Sequence, residues 1–302
     1  MVPRRRIGYC PAMTSQDTPR GFAFALSAYM LWGFLPFFMK ALAHIPPAEV
    51  IAHRVIWSVP IAAAVLLWRG EVGGLLSLMR QPRILAMGAA TAALISVNWG
   101  FYVWAIGAGH ALDAALGYYI NPLFSVFLGA VLLGERLKPL QWAAIALAAA
   151  AVLILTWQAG HVPVVALALT VTWGFYAYLK RRLPIGANEG FLLEILIMTP
   201  FALAYILWLA AQGSGHFAGT SHDTILLASC GFVTAVPLMT YAHGAKGLRL
   251  STIGILQYIA PTMILLIAVL AFHESFGLAQ MIAFPMIWAA LALYTSVLLR
   301  KA

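Results

Sequence analysis

Charged residues are scarce in this chain. Only 9% of its 302 residues are Asp, Glu, Lys or Arg, whereas soluble proteins contain roughly 25%. Hydrophobic residues make up 63%, and the mean hydropathy is +0.91. A soluble globular protein of this size needs a charged surface, and a disordered chain needs low hydrophobicity. The composition excludes both classes and predicts an integral membrane protein.

Cysteine is almost absent, and so are the motifs of known catalytic sites. Cys10 and Cys230 form neither a CxxC pair nor a zinc-binding pattern. The sequence also contains no Walker A pattern, GxSxG motif, HExxH motif or paired catalytic carboxylates. These absences exclude a disulfide-stabilised secreted domain and argue against an ATP-driven pump. We therefore predict no metal, no cofactor and no enzymatic activity.

Long apolar runs are what the sequence has in abundance. A bilayer core of about 30 Å needs roughly 20 apolar residues per helix. Ten segments meet this requirement, so we predict an all-α integral membrane protein with ten transmembrane helices. The segments are 21–39, 48–68, 84–106, 111–133, 139–157, 163–180, 189–209, 224–244, 252–272 and 279–299.

Basic residues are concentrated on one side of this arrangement. Sixteen of the 18 Lys and Arg residues lie before the first segment, after the last, or in every second loop between them, with Lys180 at the end of the sixth segment counted in the loop that follows. The positive-inside rule then places both termini in the cytoplasm. The net charge of +9 is explained by this topology, so the expected surroundings are the lipid bilayer and not nucleic acid. The first apolar run is predicted to be a retained span, because it is too long for a cleaved signal peptide.

The two halves of the chain share short motifs at a nearly constant separation. Residues 117–123 (GYYINPL) align with 256–262 (LQYIAPT) at an offset of 139, and Trp-Gly-Phe at 32–34 recurs at 173–175. Each half has five helices, and an odd number forces the second copy to cross the membrane in the opposite sense. Inverted repeats around a midplane site are typical of secondary transporters. We predict a cytoplasmic tail (1–20), a first repeat (21–157) and a second repeat (158–302).

Two prolines lie in the middle of equivalent predicted helices. Pro122 in the fourth segment and Pro261 in the ninth each remove a backbone donor and free the carbonyl four residues earlier, at Tyr118 and Gln257. Freed backbone at membrane depth is tolerated only against protein or water. We predict that both prolines kink their helices beside a substrate pocket between the repeats. A pair of ordinary kinks with packed polar side chains is the alternative.

Polar and aromatic side chains on the surrounding helices suit an amphipathic organic solute. For each aromatic residue, a role at the membrane interface or in packing is the alternative. The predicted substrate-binding residues are Trp32, Asn98, Trp99, Tyr102, Tyr118, Asn121, Tyr176, Gln257 and Tyr258.

Three ionisable residues lie several residues from the ends of predicted helices, at a depth where a charge is costly. His53 and Arg54 are near the outer end of the second helix, and Glu194 is about as deep from the inner end of the seventh. We predict that they act in gating or ion coupling, with Glu194 as a candidate proton acceptor. Snorkelling to the interface and an ion pair within the protein are the alternative. Glu135 and Glu274, in the hairpins after the fourth and ninth helices, are expected to organise those turns and the helices that follow.

Several of these segments together are similar to one transporter family. They are Ala-His-Arg (52–54), Asn-Trp-Gly-Phe-Tyr-Val-Trp-Ala (98–105), Gly-Tyr-Tyr-Ile-Asn-Pro-Leu (117–123), Leu-Gly-Glu-Arg-Leu (133–137) and Leu-Gln-Tyr-Ile-Ala-Pro-Thr (256–262). They resemble the RarD subfamily, often labelled chloramphenicol-sensitive protein, of the EamA-type drug/metabolite transporter superfamily. The resemblance covers all ten helices. It implies a protein of the bacterial inner membrane and a ten-helix inverted-repeat bundle with a central cavity. One departure from the repeat is His273, which stands where the first repeat has Gly134.

These observations predict a secondary transporter, an exporter of small organic metabolites or drugs that works by alternating access. The alternative from another class is a flippase-like protein for lipids or lipid-linked precursors, and a membrane enzyme with an unrecognised site is the third. A run of small residues in the fifth helix, at 143–151, would allow close helix packing or a homodimer interface.

Overall fold

A computed structural model describes residues 18–70, 75, 78–134, 136–160, 162–245, 248, 252–253 and 256–299. Most of the predicted N-terminal tail, residues 1–17, lies outside the described residues. So does Glu135, one of the two hairpin glutamates.

Ten helices of eight residues or more make up the described part of the chain, which contains no strand. Eight of them are long and apolar enough to span a membrane, and α6 and α9 are shorter apolar helices. The predicted all-α fold with ten transmembrane helices is confirmed. The helices are α1 (Pro19–Ala41), α2 (Pro47–Arg69), α3 (Pro82–Ala108), α4 (Ala111–Leu133), α5 (Pro139–Ala159), α6 (Val164–Arg182), α7 (Ala187–Ala211), α8 (Ser221–Ala245), α9 (Ile259–Leu266, continued by a π-helical turn at Ile267–Ala271) and α10 (Leu278–Leu299).

Local sequence explains where many of these helices begin and end. Proline is the first residue of α1, α2, α3 and α5, where its missing N–H costs no hydrogen bond. Thr18 Oγ1 caps α1 by accepting the N–H of Gly21 at 3.1 Å. Helix α4 ends at Gly134 with φ of 67°, and the equivalent residue after α9, His273, has φ of 53°. The two repeats therefore use the same left-handed turn, although a Cβ disfavours it at His273.

Helix α9 differs from the predicted span at 252–272. Its α-helical part begins at Ile259, after a turn at Gln257 and Tyr258, so Pro261 lies in the first turn and not in the middle. A proline in the first turn breaks no intrahelical hydrogen bond, because the first N–H groups have no partner there. Pro122, by contrast, lies in the interior of α4. The two repeat-equivalent prolines thus occupy different helical environments.

The two five-helix repeats interlock. Helix α1 packs on α8 and α9, and its equivalent α6 packs on α3 and α4. Helix α2 packs on α7, and α5 packs on α10, so that each of these pairs joins equivalent helices. These are the pairings that an inverted repeat produces.

Two repeat-equivalent glycines allow helices of opposite repeats to approach closely. Gly33 on α1 faces Met263 on α9, and Gly174 on α6 faces Phe124 on α4, so that a Cβ on either glycine would overlap the facing side chain. Both glycines belong to the repeated Trp-Gly-Phe motif, and both facing residues follow a repeated proline by two positions. The repeated motifs therefore mark where α1 meets α9 and where α6 meets α4.

The small residues of α5 are used within the chain. Ala144, Ala148 and Ala151 are buried in the main core cluster together with residues of α10, on which α5 packs. This is the close helix packing that the alanine run predicts. The homodimer interface stays a prediction.

Candidate functional site

The helix connections form two sets, one at each end of the bundle. The α1–α2 end carries the α1–α2, α3–α4, α5–α6, α7–α8 and α9–α10 connections, and the α2–α3 end carries the others. Contacts between distant residues join each set: His44 after α1 contacts Asp223 at the start of α8, and Arg69 contacts His243 at the C-terminal ends of α2 and α8.

The guanidinium of Arg54 is buried where the repeats meet. The side chain extends from α2, and the residue is only 4% exposed. Its Nε donates to Thr234 Oγ1 on α8 at 3.0 Å, and its Cζ lies 4.4 Å from the ring centroid of Trp99 on α3. Its Nη1 is buried without a hydrogen-bond partner. A cation deep in the bundle therefore keeps one donor unused.

Neutral polar groups surround this cation. The side chains of Tyr102, Tyr118 and Cys230 lie close enough to Arg54 to interact with it electrostatically. The ring centroids of the two tyrosines are 5.8 Å apart. The Tyr102 hydroxyl is buried without a hydrogen-bond partner. Three predicted substrate-binding residues, Trp99, Tyr102 and Tyr118, are thus brought together around a residue that the sequence analysis assigned to gating.

Two asparagines add unused acceptors on the same helices. Asn98, one turn before Tyr102 on α3, donates its Nδ2 to the Leu169 carbonyl at 3.1 Å and to Thr172 Oγ1 at 2.9 Å, both on α6. Its Oδ1 is buried without a partner, and so is Oδ1 of Asn121 on α4. We name as the arginine cluster the residues Arg54, Asn98, Trp99, Tyr102, Tyr118 and Asn121.

His53 has different surroundings, although it precedes Arg54 directly. Its ring stacks on Phe217, with centroids 4.9 Å apart, and its Nδ1 accepts the indole N–H of Trp57 at 3.1 Å. Successive residues of a helix point about 100° apart, which separates the two side chains. The two side chains therefore contact different groups, and their role in gating or ion coupling stays a prediction.

Three other predicted substrate-binding residues, Trp32, Gln257 and Tyr258, are not members of the arginine cluster, and the Tyr258 hydroxyl is buried without a hydrogen-bond partner. Trp32 packs against Tyr29 and Tyr241, with a ring-centroid distance of 5.6 Å to each. Gln257 and Tyr258 form the turn that precedes α9. A substrate-binding role for these residues stays a prediction.

Glu194 is paired at the α2–α3 end. It is 2% exposed. Its carboxylate accepts hydrogen bonds from the ammonium of Lys180 at 2.6 Å and from the hydroxyl of Tyr176 at 3.2 Å. The sequence analysis counted Lys180 as a loop residue, but α6 continues to Arg182 and lets Lys180 reach α7. The intraprotein ion pair, which was the alternative for Glu194, is therefore present. Its role in proton coupling stays a prediction.

Carboxylate side chains also connect distant parts of the chain at the α1–α2 end, and these contacts were not predicted from the sequence. Glu49 accepts the backbone N–H of His216 at 2.7 Å and lies 2.8 Å from its Nδ1. His44 Nε2 lies 2.9 Å from Asp223 Oδ1. The partners are 167 and 179 residues apart, so local patterns do not pair them. The sequence does contain one signal for these contacts, because all four residues lie on the side of the membrane that has few basic residues.

Glu274 also acts at this end, and the expectation that it organises the following helix is wrong. Its two carboxylate oxygens accept the backbone N–H groups of Ala111 and Leu112, at 2.8 and 2.9 Å. These are the first residues of α4, where unpaired N–H groups and the helix dipole favour an anion. The α9–α10 connection of the second repeat is therefore bound to the first repeat.

The arginine cluster is closed off from solvent in this conformation. Its unpaired polar atoms are inaccessible. A surface cavity of about 310 Å³ lies instead at the α1–α2 end, beside Glu49 and Phe217. Among the described residues, no group of three His, Cys, Asp or Glu side chains is placed to hold a metal ion.

Comparisons with known proteins agree with this architecture. Residues 19–157 match the model of the EamA-like transporter family. An uncharacterized transporter of Vibrio cholerae is 41% identical over 93% of both chains, and the protein RarD of Escherichia coli K12 is 36% identical over 93% of this chain and 96% of its own. A solved crystal structure superimposes with a TM-score of 0.60 at 25% identity, covering 92% of this chain and 96% of that one. The chain therefore belongs to the EamA-like transporter family, within its RarD subfamily, and is a multi-pass membrane transporter.

Proposed function

We propose that this protein exports small organic metabolites or drugs across a bacterial inner membrane, as a secondary transporter with both termini in the cytoplasm. Transport occurs by alternating access between residues 21–157 and 158–302. It needs no cofactor and involves no enzymatic reaction.

The observation that carries the proposal is the arginine cluster. A folded protein seldom leaves buried polar atoms without hydrogen bonds, because each costs free energy. Here the cluster contains four such atoms, on Arg54, Asn98, Tyr102 and Asn121. Polar groups that converge among aromatic side chains are typical of a ligand site.

The position of the cluster suits alternating access. Arg54 on α2 donates to Thr234 on α8, and Asn98 on α3 donates to α6, so both residues connect the first repeat to the second. A solute held between them touches both repeats. Its binding therefore depends on how the repeats are arranged, which is the coupling that transport requires.

A transport assay tests this proposal. The full chain is reconstituted into proteoliposomes, and uptake of a panel of radiolabelled solutes is followed with and without a pH gradient. We expect saturable uptake of at least one solute and about tenfold lower uptake by Asn121→Leu, because the unpaired acceptor of Asn121 is lost. Asn188→Leu, at the start of α7, is the matched control and should retain uptake.

Two further readouts separate the alternatives. Efflux from cells that are loaded with the transported solute gives the direction of transport. A lipid-scrambling assay in the same vesicles tests the flippase-like alternative. Scrambling without uptake of any solute would contradict the proposal.

A further inference from the structure

The charge of Arg54 has no counter-ion among the described carboxylates. Buried charges in proteins are normally paired, and inside a membrane an unpaired charge is costly. Each of the six described acidic residues binds another group: Glu49 binds His216, Asp113 binds His110, Glu189 binds the Gly186 N–H, Glu194 binds Lys180, Asp223 binds His44, and Glu274 binds the start of α4. Asp17, Glu71 and Glu135 lie outside the described residues.

The neutral neighbours of Arg54 satisfy it only in part. The Trp99 ring covers one face of the guanidinium, and Thr234 takes the Nε donor. Nη1 still has no acceptor, and the Tyr102 hydroxyl also has no partner. Two donors, one of them charged, are therefore unused within one cluster.

We propose that Arg54 binds the anionic group of the substrate, so that the transported solutes are small organic anions. This inference rests on the proposed transport function. A carboxylate, phosphate or sulfonate accepts hydrogen bonds from the unpaired Nη1 of the guanidinium, and Tyr102 supplies another donor. Asn98 and Asn121 accept N–H or O–H groups of the same solute, and Trp99 packs against its apolar part.

The anion could come from two sources, a soluble solute or a lipid headgroup, and the chemistry at Arg54 is the same for both. We choose a soluble solute because five of the six cluster residues are buried, and because Arg54 and Asn98 of the cluster are hydrogen-bonded to α8 and α6. The experiment therefore uses vesicles and nanodiscs of phosphatidylcholine, which carries no net charge. It adds phosphatidylglycerol only in a separate arm.

The binding test uses matched pairs of compounds and the purified full chain in nanodiscs. The probes are benzoate with benzamide, phenylacetate with phenylacetamide, and hexanoate with hexanamide, together with phenyl phosphate and benzenesulfonate. We expect at least one anion to raise the melting temperature saturably while its neutral counterpart does not. Arg54→Gln should then raise the apparent Kd more than about thirtyfold, because it removes a buried charge partner.

Three other variants separate binding from folding. Arg54→Lys keeps the charge but loses the planar donor pair, so its Kd should lie between those of the wild type and Arg54→Gln. Arg182→Gln is the matched control, because Arg182 is exposed and contacts only the face of Tyr178 among described aromatic rings. Without ligand, Arg54→Met should melt at the same temperature as the wild type or higher, because it removes an uncompensated buried charge.

The results distinguish this inference from the proposed function. Equal binding of amides and carboxylates, no stabilisation by any anion, or an unchanged Kd in Arg54→Gln would overturn the inference. Uptake of neutral or cationic solutes that is unaffected by Arg54→Gln would also overturn it, while leaving transport intact. Stabilisation by phosphatidylglycerol alone would assign the anion to lipid and contradict the inference as well.

Discussion

Glu274→Gln is expected to loosen the α1–α2 end without unfolding the bundle. Both carboxylate oxygens of Glu274 accept backbone N–H groups at the start of α4. An amide keeps one acceptor, turns an NH₂ donor toward the other N–H, and loses the charge that the helix N-terminus favours. A charge-assisted hydrogen bond contributes about 1.5–3 kcal/mol. We therefore expect Glu274→Gln to destabilise the closed α1–α2 end by about 2 kcal/mol, which multiplies the population that is open at this end by about thirty.

A buried thiol measures this opening. Ala114 is fully buried one turn into α4, close to the contact. In a background in which Cys10 and Cys230 are replaced by alanine, Ala114→Cys is labelled by a small maleimide only when this end opens. If closing is faster than labelling, the labelling rate follows the open population and rises by about thirtyfold in Glu274→Gln.

Glu189→Gln is the matched control. Its Oε2 accepts the N–H of Gly186 at 2.7 Å, which is the same chemistry, but the contact lies within the first turn of α7 and at the other end. We expect it to lower the melting temperature slightly and to leave the labelling of residue 114 unchanged. The reasoning is refuted if Glu274→Gln labels no faster than Glu189→Gln.

Five other substitutions, in three tests, probe the packing of the bundle. Lys180→Met should destabilise the protein by about 3 kcal/mol in detergent unfolding titrations, because Glu194 stays buried without its cation, and adding Glu194→Gln should recover most of the loss. His273→Gly should stabilise it by about 1 kcal/mol in the same titrations, since glycine adopts a φ of 53° without strain. Gly231→Ala should lower the melting temperature strongly, because the added Cβ overlaps the backbone of α2, whereas Gly100→Ala, where the nearest atom is 3.6 Å away, should be neutral or stabilising.

The sequence predicts the helices well, because membrane spans depend on local composition. Nine of the ten predicted segments correspond to a continuous helix whose ends differ by a few residues. The exception is α9, where the turn at 257–258 interrupts an apolar run that hydropathy alone reads as one span. The fold class also follows, since the repeated motifs and the odd number of helices per repeat require an inverted arrangement.

The site is predicted less completely, because side-chain partners are set by three-dimensional packing. Every member of the arginine cluster is among the residues predicted from the sequence, and the predicted role of Arg54 in gating or ion coupling stays a prediction. Depth along α2 was readable from the sequence, whereas the direction of the side chain toward Trp99 was not. Lys180 was assigned to a loop because the predicted end of α6 falls at that residue.

Two of the polar contacts at the α1–α2 end, those of Glu49 and His44, involve residues whose repeat equivalents are apolar or lack a side chain, and we expect this difference to bias the protein toward one conformation. At the offset of 141 residues, Glu49 corresponds to Gly190 and His44 to Ile185, neither of which can form an ion pair. Two repeats of equal sequence would close either end with equal free energy, and we expect the contacts of Glu49 and His44 to shift this balance toward closure of the α1–α2 end. We expect the substrate-free protein to be closed there in most molecules, which distances between spin labels at the two ends would measure. Replacing Glu49 by Gln should shift the distance distribution toward opening at the α1–α2 end, and an unchanged distribution would show that packing alone sets the preference.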